Sequence, residues 1–151
     1  FLLCPNGGCE LALSSEASPA ADDGHILSGE LACAGCKAKF AIRNGVPILL
    51  PANLANVKLE TASRFAEEWT RWSELRDYYE KEFFDWVAPL TSKDFTGQVV
   101  FEGGCGKGRH TAIVAACGAK AIVSLDLGES AFVAFAHTRR FPNAHVVIGD
   151  L

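Results

Sequence analysis

The feature that most constrains this chain is a short apolar run leading straight into a glycine-rich turn. Val99-Val100-Phe101 is followed by Glu102-Gly103-Gly104-Cys105-Gly106-Lys107-Gly108-Arg109. A β-branched and aromatic run of this kind reads as a buried strand, and the glycines supply backbone freedom for a tight turn. Regular alternation follows. A helix is expected at about 109–117, then a strand over 121–125 that ends on Asp126. A helix through Phe132, Phe135 and Ala136 leads to a strand over 146–148, which runs into Gly149-Asp150-Leu151. Strand, glycine loop, helix, strand, acid, helix, strand is the β-α-β-α-β half of a doubly wound α/β sheet, and such sheets bind ligands at the carboxyl ends of their strands. This unit occupies 91–151.

The glycine spacing narrows the ligand. Gly104, Gly106 and Gly108 form GxGxG. A dinucleotide fingerprint, GxGxxG, needs its third glycine where Arg109 or Thr111 stands. A Walker loop needs Ser or Thr directly after its lysine, and Gly108 follows Lys107. Neither phosphate-binding pattern is met. An acid, GxGxG and a second-strand acid suit S-adenosylmethionine, which has no phosphates and needs backbone close beneath its aminoacyl and ribose parts. Asp126 lies 18 residues after Gly108, where a strand-tip carboxylate can accept hydrogen bonds from both ribose hydroxyls.

Through VVFEGGCGKGRHT, VSLDLGES and Gly149-Asp150-Leu151, the segment resembles the class I S-adenosylmethionine-dependent methyltransferases, with a Rossmann-like fold. The resemblance implies that Glu102 lies near the methionine amino group and that Gly104, Gly106 and Gly108 line the cofactor. Asp126 would hold the ribose, and Asp150 with Leu151 would flank the adenine. Gly103, Cys105, Arg109 and Leu127 complete the implied cofactor-binding set. His110 reads as a helix-surface or packing residue rather than a base, and Cys117 as a core thiol. In such enzymes the sulfonium methyl is already electrophilic, so orientation of the acceptor supplies most of the rate. No catalytic residue is assigned, because acceptor-facing groups in that fold come largely from beyond its fourth strand. The family strand order 3-2-1-4-5-7-6 would leave 99–101 as an exposed apolar edge here. Phe1 at the start and the absence of methionine suggest a fragment of a longer chain. By itself it is expected to bind cofactor weakly and transfer no methyl group.

Four of the six cysteines form two close pairs, Cys4 with Cys9 and Cys33 with Cys36. Two knuckles separated by a loop are the spacing of a structural four-thiolate zinc site. Disulfides or unpaired buried thiols are the alternatives, but a disulfide framework suits a secreted protein and no secretion signal opens the chain. The first knuckle has four intervening residues, and Gly7 and Gly8 let that longer turn fold back. His25 lies outside both knuckles and reads as a loop residue. Downstream, Asn44-Gly45 between apolar runs at 40–43 and 46–50 signals a two-residue hairpin, in which both turn residues need positive φ. Pro47 cannot donate to a ladder, so its strand is expected at an edge or paired on one side only. Cys-Pro, a second CxxC and Asn-Gly-Val-Pro-Ile-Leu-Leu resemble the zinc-ribbon module of small activator proteins of tRNA methyltransferases. That module spans 1–51, with a linker over 52–60.

Between the two units, Phe65, Trp69, Trp72, Leu75, Tyr79, Phe83 and Trp86 recur at steps of three and four residues. This spacing predicts one bent helix or two shorter ones over 61–90, closed by Pro89, whose aromatic stripe packs into a core and lends a ring to a lid.

Charge is balanced between the halves. The first 60 residues hold 4 basic and 6 acidic residues, and the rest 10 and 12, so each carries −2 and neither resembles a polyanion-binding surface. No apolar run reaches the roughly 18 residues of a membrane span. The expected protein is cytoplasmic, with a small-molecule methyl acceptor. Two alternatives stay open. One is an RNA methyltransferase whose ribbon contacts nucleic acid through Lys37, Lys39 and Arg43; the other is a non-catalytic zinc-ribbon adaptor.

Overall fold

The computed structural model describes residues 2–14, 21, 23–51, 53–54, 74–76 and 78–151. The chain opens with strand β1 (Leu11–Leu13) and strand β2 (Gly29–Cys33), which pair antiparallel with Leu11 opposite Cys33. Neither strand has a strong local signal, although Leu31 and Cys33 alternate inward along β2 and both are buried. Strand β3 (Lys39–Arg43) alternates more clearly, burying Phe40 and Ile42 on one face. It turns through Asn44 and Gly45, whose φ values of 47° and 84° are the pair the dipeptide predicts, into strand β4 (Val46–Leu49).

The alternating half follows. Helix α1 (Tyr79–Trp86) and helix α2 (Ser92–Phe95) precede strand β5 (Val99–Gly103). Helix α3 (Arg109–Ala116), strand β6 (Ala121–Asp126), helix α4 (Ser130–Thr138) and strand β7 (Ala144–Gly149) complete it. Strands β5, β6 and β7 run parallel, with Gly103 beside Leu125 and Asp126 beside Ile148. The expected β-α-β-α-β unit is therefore present, as part of a mixed α/β sheet. The short helix α2 was not anticipated. Its signal lies in Thr91 and Asp94, where the Asp94 carboxylate accepts the Thr91 backbone N–H at 2.8 Å, half of a capping box.

All the described strands form one sheet in the order β1-β2-β3-β4-β7-β6-β5. The join is β4 against β7, parallel, with Ile48 opposite Ile148 and Leu49 opposite Gly149. This corrects the expectation that β4 is an edge or is paired on one side only. Pro47 still spares the ladder, because it pairs with Ile42 of β3 and the pairing to β7 begins one residue later. Three apolar clusters hold the sheet. Cys4, Leu31, Cys33, Phe40, Ile42 and Leu49 pack with Val147 on one face. On the other, Val46, Val146 and Ile148 pack with Ala131, Ala134 and Phe135 of α4. Beside them, Phe83 of α1 packs with Val114, Ala115, Ile122 and Ala144. Each fully buried aliphatic side chain of this kind is worth about 2 kcal/mol of transfer free energy.

At the far end, β5 is the sheet edge, and Val99 and Phe101 are 58% and 60% exposed. The helical stripe is only partly described: Phe65, Trp69 and Trp72 lie outside the described residues. Leu75 is described and is not helical, so a helix running through it to Trp86 is not what forms. Within α1, Phe83 is core at 5% exposure, whereas Trp86 is 74% exposed. No helix among the described residues is long and apolar enough to cross a membrane.

Candidate functional site

Because β4, β7, β6 and β5 are parallel, their carboxyl ends share one edge of the sheet. Gly103, Asp126 and Gly149 end three of these strands, and ligands of open α/β sheets bind at such an edge. The glycine loop crosses it. Gly104 and Cys105 both donate to the Leu125 carbonyl, at 2.7 and 3.1 Å, and Gly108 donates to Cys105 at 2.8 Å. The loop is thus fastened to β6 before α3 begins.

Its glycines divide by role. Gly104 has φ 73°, and a Cβ built on it meets nothing within 4 Å, so this position faces open space at the strand tips. Gly108 has φ 77°, and its Cβ would lie 2.8 Å from Ala134 Cβ and 2.9 Å from Ala134 Cα. That glycine lets α3 approach α4, a packing role that spacing alone does not distinguish from ligand contact. Cys105 is buried in the α4 cluster, and burial pushes its thiol far up, out of nucleophilic range.

Two carboxylates stand beside the loop. Glu102 Oε2 accepts Thr111 Oγ1 at 2.6 Å and Ser124 Oγ at 3.2 Å, and its Oε1 lies 3.7 Å from His110 Nδ1. Burial raises its pKa above the usual carboxylate value, Asp126 adds to the rise, and the two hydroxyls and Arg109 oppose it. Asp126 accepts Gly106 N at 2.7 Å on one oxygen, and Gly128 N and Ser130 Oγ at 2.9 Å on the other. A carboxylate offers about four lone-pair sites. As folded, Asp126 therefore has room for one further donor.

Among the remaining expected residues, Leu127 follows β6 and is half-buried, Asp150 is half-buried at the end of β7, and Leu151 is exposed. Leu151 still closes over the loop, with its methyl groups 3.1 Å from where a Gly103 Cβ would sit. Arg109 begins α3 with its guanidinium 5.2 Å from the Tyr79 ring centre. His110 packs between Phe83 and Trp86, at ring separations of 5.1 and 5.6 Å, and burial lowers its pKa. This is the packing role expected for it.

Lys107 is the lysine that a Walker pattern would have aimed at a phosphate. It is 4% exposed, and its Nζ donates to the Glu74 carbonyl at 2.8 Å and to Tyr79 Oη at 3.1 Å. The phenol is pulled below its ordinary pKa, chiefly by that hydrogen bond. A phosphate-binding lysine would point into the loop. This one is committed to the residues before α3, which agrees with the absence of a Walker pattern.

A second cluster forms in the N-terminal strands. The sulfurs of Cys4, Cys33 and Cys36 all lie within 4.8 Å of one another, and Cys4 Sγ is 3.5 Å from Cys36 Sγ. Tetrahedral zinc at about 2.3 Å from each sulfur separates its ligands by about 3.8 Å, whereas a disulfide needs about 2.05 Å. Cys9 stands outside that tight trio but adjoins it, its Sγ 2.5 Å from where a Gly35 Cβ would sit. The wide first knuckle closes as its glycines suggest, with Gly8 at φ 69° donating to Cys4 O at 2.8 Å and Cys4 N donating to Cys9 O at 2.8 Å. The Cys36 amide donates to Cys33 Sγ and draws that thiol down to about 7, while burial pushes Cys4 up to about 11. His25 is not a member of the cluster. It donates from Nε2 to the Arg139 carbonyl at 2.9 Å and meets the Phe135 ring edge-on, fastening its loop to α4.

No family model matches the sequence, and no curated protein matches it. Among solved structures, the chain is similar to protein arginine methyltransferase 10 of Arabidopsis thaliana, with 23% identity and a TM-score of 0.37 over 49% of this chain and 20% of that one. It is also similar to a Listeria monocytogenes protein assigned as an S-adenosylmethionine-dependent methyltransferase, with 27% identity and a TM-score of 0.31 over 50% of this chain and 32% of that one. The chain thus spans about a third or less of each protein's length.

Proposed function

We propose that residues 91–151 form the cofactor-binding half of an S-adenosylmethionine-dependent methyltransferase acting on a small-molecule acceptor, and that the N-terminal thiols hold a structural zinc ion. One observation carries the first part. Glu102 and Asp126 flank a glycine loop at the tips of neighbouring parallel strands, and Gly104 leaves open space there. The commitment of Lys107 to Glu74 and Tyr79 supports a ligand without phosphates.

In this reading Gly104 admits the aminoacyl part beneath the loop, and Glu102 faces its ammonium group. Asp126 accepts one ribose hydroxyl in the capacity it has left; accepting both requires the Gly106 amide to let go. Asp150 and Leu151 border the adenine side. The bound cofactor supplies an electrophilic sulfonium methyl, so this chain's residues bind and orient, and no proton transfer is assigned to them. The thiols fit zinc in donor type and spacing, and their core continues into β7 through Leu49 and Val147. A small-molecule acceptor is favoured over RNA because the local basic patch is partly spoken for. Lys39 pairs with Glu30 at 2.8 Å, and Lys37 donates to the Ala34 carbonyl.

Calorimetry with S-adenosylmethionine on wild type and Asp126→Ala tests the reading. The expected result is a loss of affinity of about tenfold or more, as for removal of a charged hydrogen bond. Equal affinity in the two proteins would refute the ribose assignment. Metal analysis should find one zinc per chain, lost on substitution of Cys4 or Cys33.

A further inference from the structure

Three arginines line one cavity, and among the described residues none of them forms an ion pair. Arg76, Arg109 and Arg140 border a space of about 490 Å³ on the outer side of α3. Nor, among the described residues, is any of the three guanidiniums in a hydrogen bond. Two of them rest on aromatic rings that also line the cavity, Arg109 on Tyr79 at 5.2 Å and Arg140 on Phe141 at 4.8 Å. Stacking of this kind holds a planar guanidinium in place while leaving its N–H donors free along the edge. Arg76 is close enough to Tyr79 to help draw its phenol pKa down. The floor is apolar, formed by Ala112, Ile113 and Ala116 of α3 with Leu75 and Phe141. Glu80 is the single carboxylate in the described lining, so positive charge still exceeds negative there.

We propose that this cavity binds an anionic amphiphile, a carboxylate or phosphate monoester carried on an apolar body. The volume is that of a small-molecule site, and the guanidinium forks match both head groups in bidentate geometry. Three guanidiniums against the one carboxylate of Glu80, over an apolar floor, favour an anionic ligand over a neutral or cationic one. The cavity shares one residue, Arg109, with the expected cofactor-binding set; Glu102, Gly104, Asp126 and Asp150 of the strand-tip edge are not in its described lining. It does not depend on the methyltransferase reading.

The test is calorimetry of the full chain with four probes of one chain length: octanoate, octyl phosphate, octylammonium and octanol. Octanoate or octyl phosphate should bind, and the tighter of the two identifies the head group; octanol and octylammonium should not bind. Arg76→Gln and Arg140→Gln change exposed, unpaired residues and should fold normally. Each should weaken anion binding about tenfold, the worth of one charged hydrogen bond. Equal binding of octanol and octanoate, or unchanged affinity in the double variant, overturns the proposal. A second readout needs no variant. Cys117 lines the cavity, so saturating anion should slow its alkylation by N-ethylmaleimide while Cys36, which is not in the cavity's described lining, reacts at its usual rate. Unslowed alkylation of Cys117 under saturating anion would also overturn it.

Discussion

Replacing Gly108 and Gly104 by alanine separates two reasons for a glycine that look identical in sequence. Both adopt positive φ, 77° and 73°, so each alanine incurs left-handed backbone strain of about 1–2 kcal/mol. Only at 108 does the new methyl meet anything. It would sit 2.8 Å from Ala134 Cβ, 2.9 Å from Ala134 Cα and 3.3 Å from Ala134 O, and two of those three atoms are backbone that cannot rotate away. Forcing α4 outward adds an overpacking cost of about 1–3 kcal/mol. Gly108→Ala is therefore expected to destabilise by about 2–5 kcal/mol and Gly104→Ala by about 1–2 kcal/mol. Urea denaturation at neutral pH measures both. Ala134→Gly in the Gly108→Ala background should recover part of the loss, because it removes the 2.8 Å contact and leaves the 2.9 Å contact. If the two single variants lose equal stability, the packing argument for Gly108 fails.

Three other expectations follow from the same contacts. Burial raises the Glu102 pKa above its ordinary value, so the folded chain holds this proton more tightly than the unfolded chain does. Stability should fall as pH rises from about 4.5 through the folded pKa, and Glu102→Gln should remove that fall. A Gln-minus-wild-type difference in Tm that stays constant between pH 4 and 8 would contradict this. If the thiols hold the proposed zinc ion, removing it with a chelator should loosen more than the knuckles, because Cys4 and Cys33 share a core with Val147 of β7. Hydrogen exchange should then accelerate at β4 and β7, and unchanged protection there would show the strands to be held without it. Phe101 lies on the edge strand and is 60% exposed, so Phe101→Lys should leave Tm nearly unchanged and reduce concentration-dependent association. Equal light scattering from the two proteins would show that β5 is not the sticky edge.

Much of the local structure was legible. The run 99–101 is a strand because its residues suit a pleated surface, and Asn44-Gly45 is a turn because both positions need positive φ, which they have. Each cysteine pair was legible because its knuckle is short enough to be closed by its own backbone hydrogen bonds. Where the reading failed, the missing information was not local. The helical spacing through Leu75 and Tyr79 is sound, yet Leu75 is outside α1, and only Phe83 among the stripe's described aromatics is deep in the core. Periodicity marks which face could be buried; it does not say how far a helix extends before packing releases it. Lys107 looked like a failed phosphate ligand, and its partners come from Glu74 and Tyr79, about 30 residues away.

Taken alone, the amino-acid order determined the alternating strands and helices, the glycine loop with its flanking carboxylates, and the thiol pairs. All of these depend on interactions within a few residues or on the repeat of one element. The tertiary structure decided that β4 lies against β7, that His25 clamps its loop to α4, and that Gly108 serves a helix contact while Gly104 faces open space. These join segments 26 to 114 residues apart, where the choice is made by which apolar faces and unpaired backbone edges fit together, and no window along the chain contains both partners.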